Sequence, residues 1–204
     1  ALGAKVVSLG RSDVFVPVDT EAFSDALFAP LTGWVREHEL DAIVSADGDA
    51  DRPLVMDGSG NFVRGDALGL LAARFLSAKI VVTPVTSNSA IERTGYFAEV
   101  VRTRVGSPFV VAEMEKAEKV VGFEANGGTF VGEGFDLTPL PTRDAILPVI
   151  AALGLAAAEK ISVAELVARL PLQVAVADRL QNVPGDRSGP FLERLQKDSG
   201  YAAG

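Results

Sequence analysis

Three aspartates, Asp47, Asp49 and Asp51, alternate with Gly48 and Ala50 directly after a short apolar run from Ala42 to Ala46. The run is short and contains β-branched residues, which predicts a strand that delivers the aspartates at its end. In an extended or tightly turned backbone the three carboxylates converge, and the small residues between them let the chain curl. Two carboxylates roughly 6 Å apart repel by about 3 kcal/mol at an effective dielectric of about 20, so the loop calls for a cation or a basic cluster. Only Arg52 adjoins it in sequence. Oxygen donors without a neighbouring thiolate or imidazole favour Mg²⁺, Mn²⁺ or Ca²⁺ over Zn²⁺.

A calcium loop of the EF-hand type starting at Asp47 requires glycine where Arg52 stands, a bidentate glutamate where Gly58 stands, and flanking helices. The chain fails on all three. A dehalogenase-type phosphatase also sets Asp-x-Asp after an apolar strand, but with Thr or Val usual at the position of Asp51; it remains an alternative, as does a solvated acidic turn. A second loop, Gly122-Phe-Glu-Ala-Asn-Gly-Gly128, follows another apolar run and carries one carboxylate and one amide. Glu124 as acceptor and Asn126 as donor and acceptor can bind two neighbouring hydroxyls, as on a sugar. The competing reading is that Glu124 caps nearby backbone amides. His38, the only histidine, reads as an ordinary helix-terminal residue.

Elements in alternation must position these loops. Lys5 to Leu9 predicts a strand and Phe23 to Glu39 a helix disturbed by Pro30 and Gly33. After the aspartate loop, Pro53–Met56 and Asn61–Val63 flank Asp57-Gly-Ser-Gly60, a hairpin signal, and Asp66 reads as the N-cap of a helix from Ala67 to about Ser77. Ile80–Thr83 predicts a strand, Thr86 to Ser89 the cap of a short helix through Glu92, and Phe97–Thr103 another strand. Ser107-Pro108 opens a helix through Ala117, and Val120–Phe123 is a further strand. Asp144 begins a helix into the Ala151–Ala158 region, Ser162-Val-Ala-Glu165 is a capping box for another through Arg169, and Gln173–Ala177 has β character. Asn182–Pro190 reads as a linker and Phe191–Lys197 as a helix. The fold class expected is α/β: two consecutive units with mainly parallel, mixed sheets flanked by helices, and functional loops at the carboxyl ends of strands. Their expected limits are 1–78, 79–181 and, for a linker with the start of something further, 182–204.

Composition sets outer bounds. The 204 residues are 48% hydrophobic and 23% charged, enough for genuine cores. A net charge of -8 argues against nucleic acid or an anionic membrane as principal partner. The longest apolar stretch, Ala145–Ala158, is too short for a bilayer crossing and contains Pro148 and Gly154. With no cysteine there are no disulfides and no thiol nucleophile; this fits a reducing compartment, and a cytoplasmic location is expected. The first residues read like the middle of a longer chain.

Asp47-Gly-Asp-Ala-Asp-Arg52 resembles the metal-binding loop of the α-D-phosphohexomutases, the family of phosphomannomutases and phosphoglucomutases, whose pattern is Asp-Gly-Asp-Gly/Ala-Asp-Arg. The resemblance implies that Asp47, Asp49 and Asp51 hold Mg²⁺ against a phosphoserine on an earlier domain and that Arg52 lies in the active site. The second loop is similar to the family's sugar-reading Gly-Glu-Met-Ser-Gly-His. Glu124 matches the glutamate, Gly127 the glycine, Asn126 replaces the serine and Gly128 the histidine, so the sugar preference stays open. Val105-Gly106 and Thr142-Arg-Asp144 resemble further landmarks. The phosphoserine motif Thr-Ala-Ser-His-Asn-Pro and the phosphate loop Arg-Thr-Ser-Gly-Thr do not occur here. The resemblance therefore implies phosphoglucomutase-like domains: the later part of the second, the third, and the first residues of the fourth. A phosphorylated hexose and the missing domains of the same parent chain are the implied partners, and the fragment alone is expected to be inactive. A non-catalytic metal- or sugar-phosphate-binding module is the other alternative.

Overall fold

The computed structural model describes residues 3–14, 25–175 and 184–197. Helix α1 (Asp25–Glu37) leads into β1 (Ala42–Ala46), β2 (Pro53–Asp57) and β3 (Phe62–Val63), which form an antiparallel three-stranded sheet in that order. Asp57 makes the second turn: its Oδ1 accepts the N–H groups of Ser59 at 2.8 Å and Asn61 at 2.9 Å, satisfying donors that the tight reversal strips of partners.

Helix α2 (Gly65–Phe75) precedes β4 (Ile80–Pro84), α3 (Ala90–Arg93), β5 (Glu99–Thr103), α4 (Ser107–Met114) and β6 (Val120–Phe123). These strands pair in parallel, β5-β4-β6, as strand-helix alternation requires. Strands β7 (Thr129–Val131) and β8 (Leu140–Asp144) then extend the sheet antiparallel, so it has five strands in the order β5-β4-β6-β7-β8. Helices α5 (Ile146–Glu159), α6 (Val163–Ala168) and α7 (Gly185–Lys197) complete the described elements.

Alternation along β6 explains the layers. Val121 and Phe123 join one buried cluster with Leu68 and Leu71 of α2, Ala152 of α5 and Leu166 of α6, while Val120 packs with Val110 and Met114 of α4 on the opposite face. Two glycines let the layers close. A Cβ on Gly69 would lie 2.3 Å from the Phe123 ring, and one on Gly122 would lie 2.3 Å from the Met114 sulfur. Val55 of β2 shares the first cluster, so the three-stranded sheet and the five-stranded sheet meet in one core. Helix α2, which the sequence reading places with the first unit, packs against β6 and α5 of the second.

Several local expectations change. Lys5–Leu9 is coil, exposed except at Leu9, and among the described residues no strand pairs with it. Asp66 lies inside α2, whose N-cap is Arg64; the buried carboxylate still serves the helix start by accepting the Ala67 N–H, and it also takes the Asn88 N–H. Asp144 both ends β8 and caps α5 through the N–H groups of Ile146 and Leu147. Gln173–Ala175 is not a strand, because the Asn88 amide bonds both the N–H and the carbonyl of Gln173 and replaces a neighbouring strand. Residues 176 and 177 lie outside the described residues. Helix α7 starts at Gly185, within the segment read as a linker, and carries Pro190 inside it. The capping box at Ser162 and Glu165 forms as expected. Among the described residues no helix is long and apolar enough to cross a membrane.

Candidate active site

Ala46 pairs with Pro53, so residues 47–52 form the loop that closes the β1/β2 hairpin. The Asp47 N–H donates to the Arg52 carbonyl at 3.1 Å, and the Ala50 N–H to the Asp47 carbonyl at 3.1 Å. Ala50 takes a left-handed backbone with φ of 60°, a conformation costing about 1–2 kcal/mol that a small residue bears best. Asp47 Oδ1 accepts the N–H groups of Asp51 at 3.2 Å and Arg52 at 3.1 Å, so this carboxylate organises the loop from inside.

That curl brings one carboxylate oxygen from each of Asp47, Asp49 and Asp51 within 4.8 Å of the others. Burial of Asp47 raises its pKa above the ordinary carboxylate value; the charges of Asp49 and Asp51 push the same way, against the Arg52 N–H and guanidinium. Arg52 lies beside the cluster, with Nε 3.7 Å from Asp47 Oδ2 and 3.5 Å from Asp51 Oδ1. Neither approach is a hydrogen bond: Asp51 Oδ1 and Arg52 Nε are buried with no hydrogen-bond partner among the described residues. A buried carboxylate oxygen without a hydrogen-bond partner, amid three converging carboxylates, suits a hard divalent cation.

The second loop leaves β6 and is held in place by close backbone packing. A Cβ on Gly65, the first residue of α2, would lie 2.3 Å from Asn126 C and Gly127 N, and one on Gly127 would lie 2.8 Å from Pro53 Cγ. Gly127 also needs its positive φ of 88°. The start of α2 and the residue after the aspartate loop therefore both abut this turn. Asn126 is buried, and its Oδ1 accepts the Gly128 N–H at 3.0 Å, so its carbonyl serves the curvature of the loop. Among the described residues the Glu124 carboxylate meets side chains, not neighbouring amides. Its Oε2 accepts from the Ser107 hydroxyl at 3.1 Å and from Arg143 Nη1 at 3.3 Å.

Sequence reading marks Thr142-Arg-Asp144 as a landmark and Ser107 as a helix start but assigns neither Arg143 nor Ser107 to the site. Arg143 sits on β8 and also reaches the aspartate loop, with Nε 2.6 Å from Asp51 Oδ2. Its stem runs over Gly128, where a Cβ would lie 2.5 Å from Arg143 Cδ. The triplet Thr142-Arg-Asp144 marks the place in the sequence, but pairing with residues 92 and 19 positions earlier depends on β8 lying beside β7.

Residues 64–173 match the phosphoglucomutase/phosphomannomutase alpha/beta/alpha domain III model. The chain belongs to the phosphoglucomutase/phosphomannomutase family. A phosphomannomutase of Sinorhizobium fredii is 52% identical over 204 residues, covering 95% of this chain and 43% of its own. A phosphomannomutase of Salmonella muenchen is 46% identical over 191 residues, covering 89% of this chain and 40% of its own. The chain thus spans about two-fifths of the length of these relatives. The crystal structure of a phosphoglucomutase/phosphomannomutase family protein from Burkholderia thailandensis superposes with a TM-score of 0.64 at 18% identity, over 85% of this chain and 37% of that one, a likeness of fold. Membership in this family displaces the dehalogenase-type alternative.

Proposed function

We propose that this chain supplies the metal-binding and sugar-recognising parts of a Mg²⁺-dependent phosphohexomutase that interconverts hexose 1-phosphate and hexose 6-phosphate. The observation that carries the proposal is the span of one side chain: Arg143 touches Asp51 of the aspartate loop at 2.6 Å and Glu124 of the second loop at 3.3 Å. A cation site and a hydroxyl acceptor held one guanidinium apart suit a substrate whose phosphoryl group and sugar ring are joined by one ester bond. The close relation to two phosphomannomutases supports mannose or glucose phosphates as substrates.

In this reading Asp47, Asp49 and Asp51 hold Mg²⁺, which when bound offsets charge on the transferring phosphoryl group. Arg52 places its positive charge beside the aspartates, where it offsets charge on a phosphoryl oxygen. Glu124 orients the sugar through a hydroxyl, anchored on Oε2 by Ser107 and Arg143, and Asn126 shapes the loop that presents it. The phosphoryl donor is a phosphoserine on another domain of the parent chain, so the 204 residues alone lack turnover. On the sequence pattern the chain divides between residues 78 and 79 with a linker and further domain from 182, although α2 packs against the second unit and α7 starts at Gly185, and we place the enzyme in the cytoplasm. Mass spectrometry of the full-length protein tests the proposal. A serine carrying one phosphoryl group, discharged by mannose 1-phosphate or glucose 1-phosphate, is the expected result; a protein that turns over hexose phosphate with no phosphoserine overturns it, as does metal binding without any turnover.

A further inference from the structure

Arg143 does more than fill space between two loops. Its side chain is 25% exposed and its guanidinium lies against two carboxylates from different elements: Nε forms an ion pair with Asp51 Oδ2 at 2.6 Å, and Nη1 donates to Glu124 Oε2 at 3.3 Å. Asp51 is thereby divided. Arg143 takes Oδ2, while Oδ1 lies 3.5 Å from Arg52 Nε and has no hydrogen-bond partner among the described residues. Glu124 is divided as well, since both of its bonds go to Oε2. One guanidinium therefore holds one oxygen of an aspartate in the acidic cluster and one oxygen of Glu124.

We infer that Arg143 is a positioning residue that couples the two loops, lowering the affinity of the aspartate cluster for a divalent cation while holding Glu124 in register for the sugar; this rests on the phosphohexomutase reading of the site. The two effects have opposite signs because they have different physical origins. A fixed positive charge bonded to one ligand repels a second cation at the same carboxylate cluster. The planar guanidinium reaches Glu124 through Nη1 while Nε lies against Asp51, a matter of direction that a lysine keeping the charge cannot reproduce. Gly128 is part of the device, since any side chain there displaces the Arg143 stem.

The experiment uses the full-length protein, with Mn²⁺ binding followed by electron paramagnetic resonance and kinetics followed with mannose 1-phosphate at saturating Mg²⁺. Arg143→Gln is expected to bind Mn²⁺ at least threefold more tightly than the native protein while KM for the sugar phosphate rises at least tenfold. Arg143→Lys is expected to keep native Mn²⁺ affinity and still show the raised KM. Thermal unfolding of both variants checks that they fold; if Arg143→Gln does not, the lysine variant carries the test of the geometry. Weaker or unchanged Mn²⁺ binding in a folded Arg143→Gln, or native KM in Arg143→Lys, overturns the inference and leaves the metal site standing. Absence of Mn²⁺ binding in the native protein overturns the metal-site reading itself.

Discussion

Gly65→Ala tests the packing that positions the sugar loop. Gly65 has an ordinary helical backbone at the start of α2, so alanine suits its conformation and, by propensity alone, stabilises by at most about 1 kcal/mol. Its Cβ, however, would meet Asn126 C and Gly127 N at 2.3 Å and the Ala125 carbonyl at 2.6 Å, all backbone. Ordinary contact starts at 3.4 Å, so the loop or the helix must yield by about 1 Å. Such overpacking costs about 1–3 kcal/mol, which against a propensity gain of about 1 kcal/mol leaves a net loss of up to about 2 kcal/mol. A displacement of about 1 Å at Glu124 lowers turnover by as much as about 100-fold. Gly33→Ala is the matched control: Gly33 lies in α1 with nothing within 4 Å of the added Cβ, and the same substitution there is expected to stabilise by up to about 1 kcal/mol. Urea unfolding of both variants and mutase kinetics of the full-length protein provide the readouts. If Gly65→Ala stabilised as Gly33→Ala does and turned over like the native enzyme, the close approach of α2 to the sugar loop would be wrong.

Calorimetry with Mg²⁺ or Mn²⁺ is expected to show one binding event that disappears in Asp49→Asn; binding that persists unchanged removes the aspartate loop as the site. Glu124→Gln keeps an acceptor but loses its charge, so turnover falls by about 1.5–3 kcal/mol in transition-state stabilisation while metal affinity changes little, because Asp51 keeps its Arg143 contact. Unaltered kinetics on every hexose phosphate tried would reduce Glu124 to a structural role. The raised pKa of Asp47 gives opposite pH dependences. Its proton is held more tightly in the folded chain, so the stability it contributes without metal is present below the usual carboxylate range and lost as pH rises through the raised value. Metal binding requires the deprotonated ligand and strengthens over the same window, so Mn²⁺ affinity should be lower at about pH 4.5 than at about pH 7.5. Asp47→Asn should flatten the metal-free stability profile, and a profile as steep as the native one contradicts the assignment.

Much of this protein is legible along the chain because it depends on neighbours in sequence. The aspartate loop is local: three carboxylates two residues apart, small residues between them and an apolar strand before them are enough to foretell a strand ending in converging carboxylates, while its closure onto β2 as a hairpin was not foretold. The parallel β5-β4-β6 pattern and the Ser162 capping box follow from periodicity and from contacts three residues apart. The antiparallel return through β7 and β8 was hidden, since three residues of β7 and a Gly- and Pro-rich segment carry too little pattern to mark strands. Asn88 shows the converse, a side chain from a loop that supplies the partner Gln173 would otherwise seek in a strand. Arg143 belongs wholly to the tertiary structure. Its chemistry comes from lying between Asp51 and Glu124, and only the pairing of β7 with β8, the missing side chain at Gly128 and the contact of α2 with the 124–128 loop bring those three charges together.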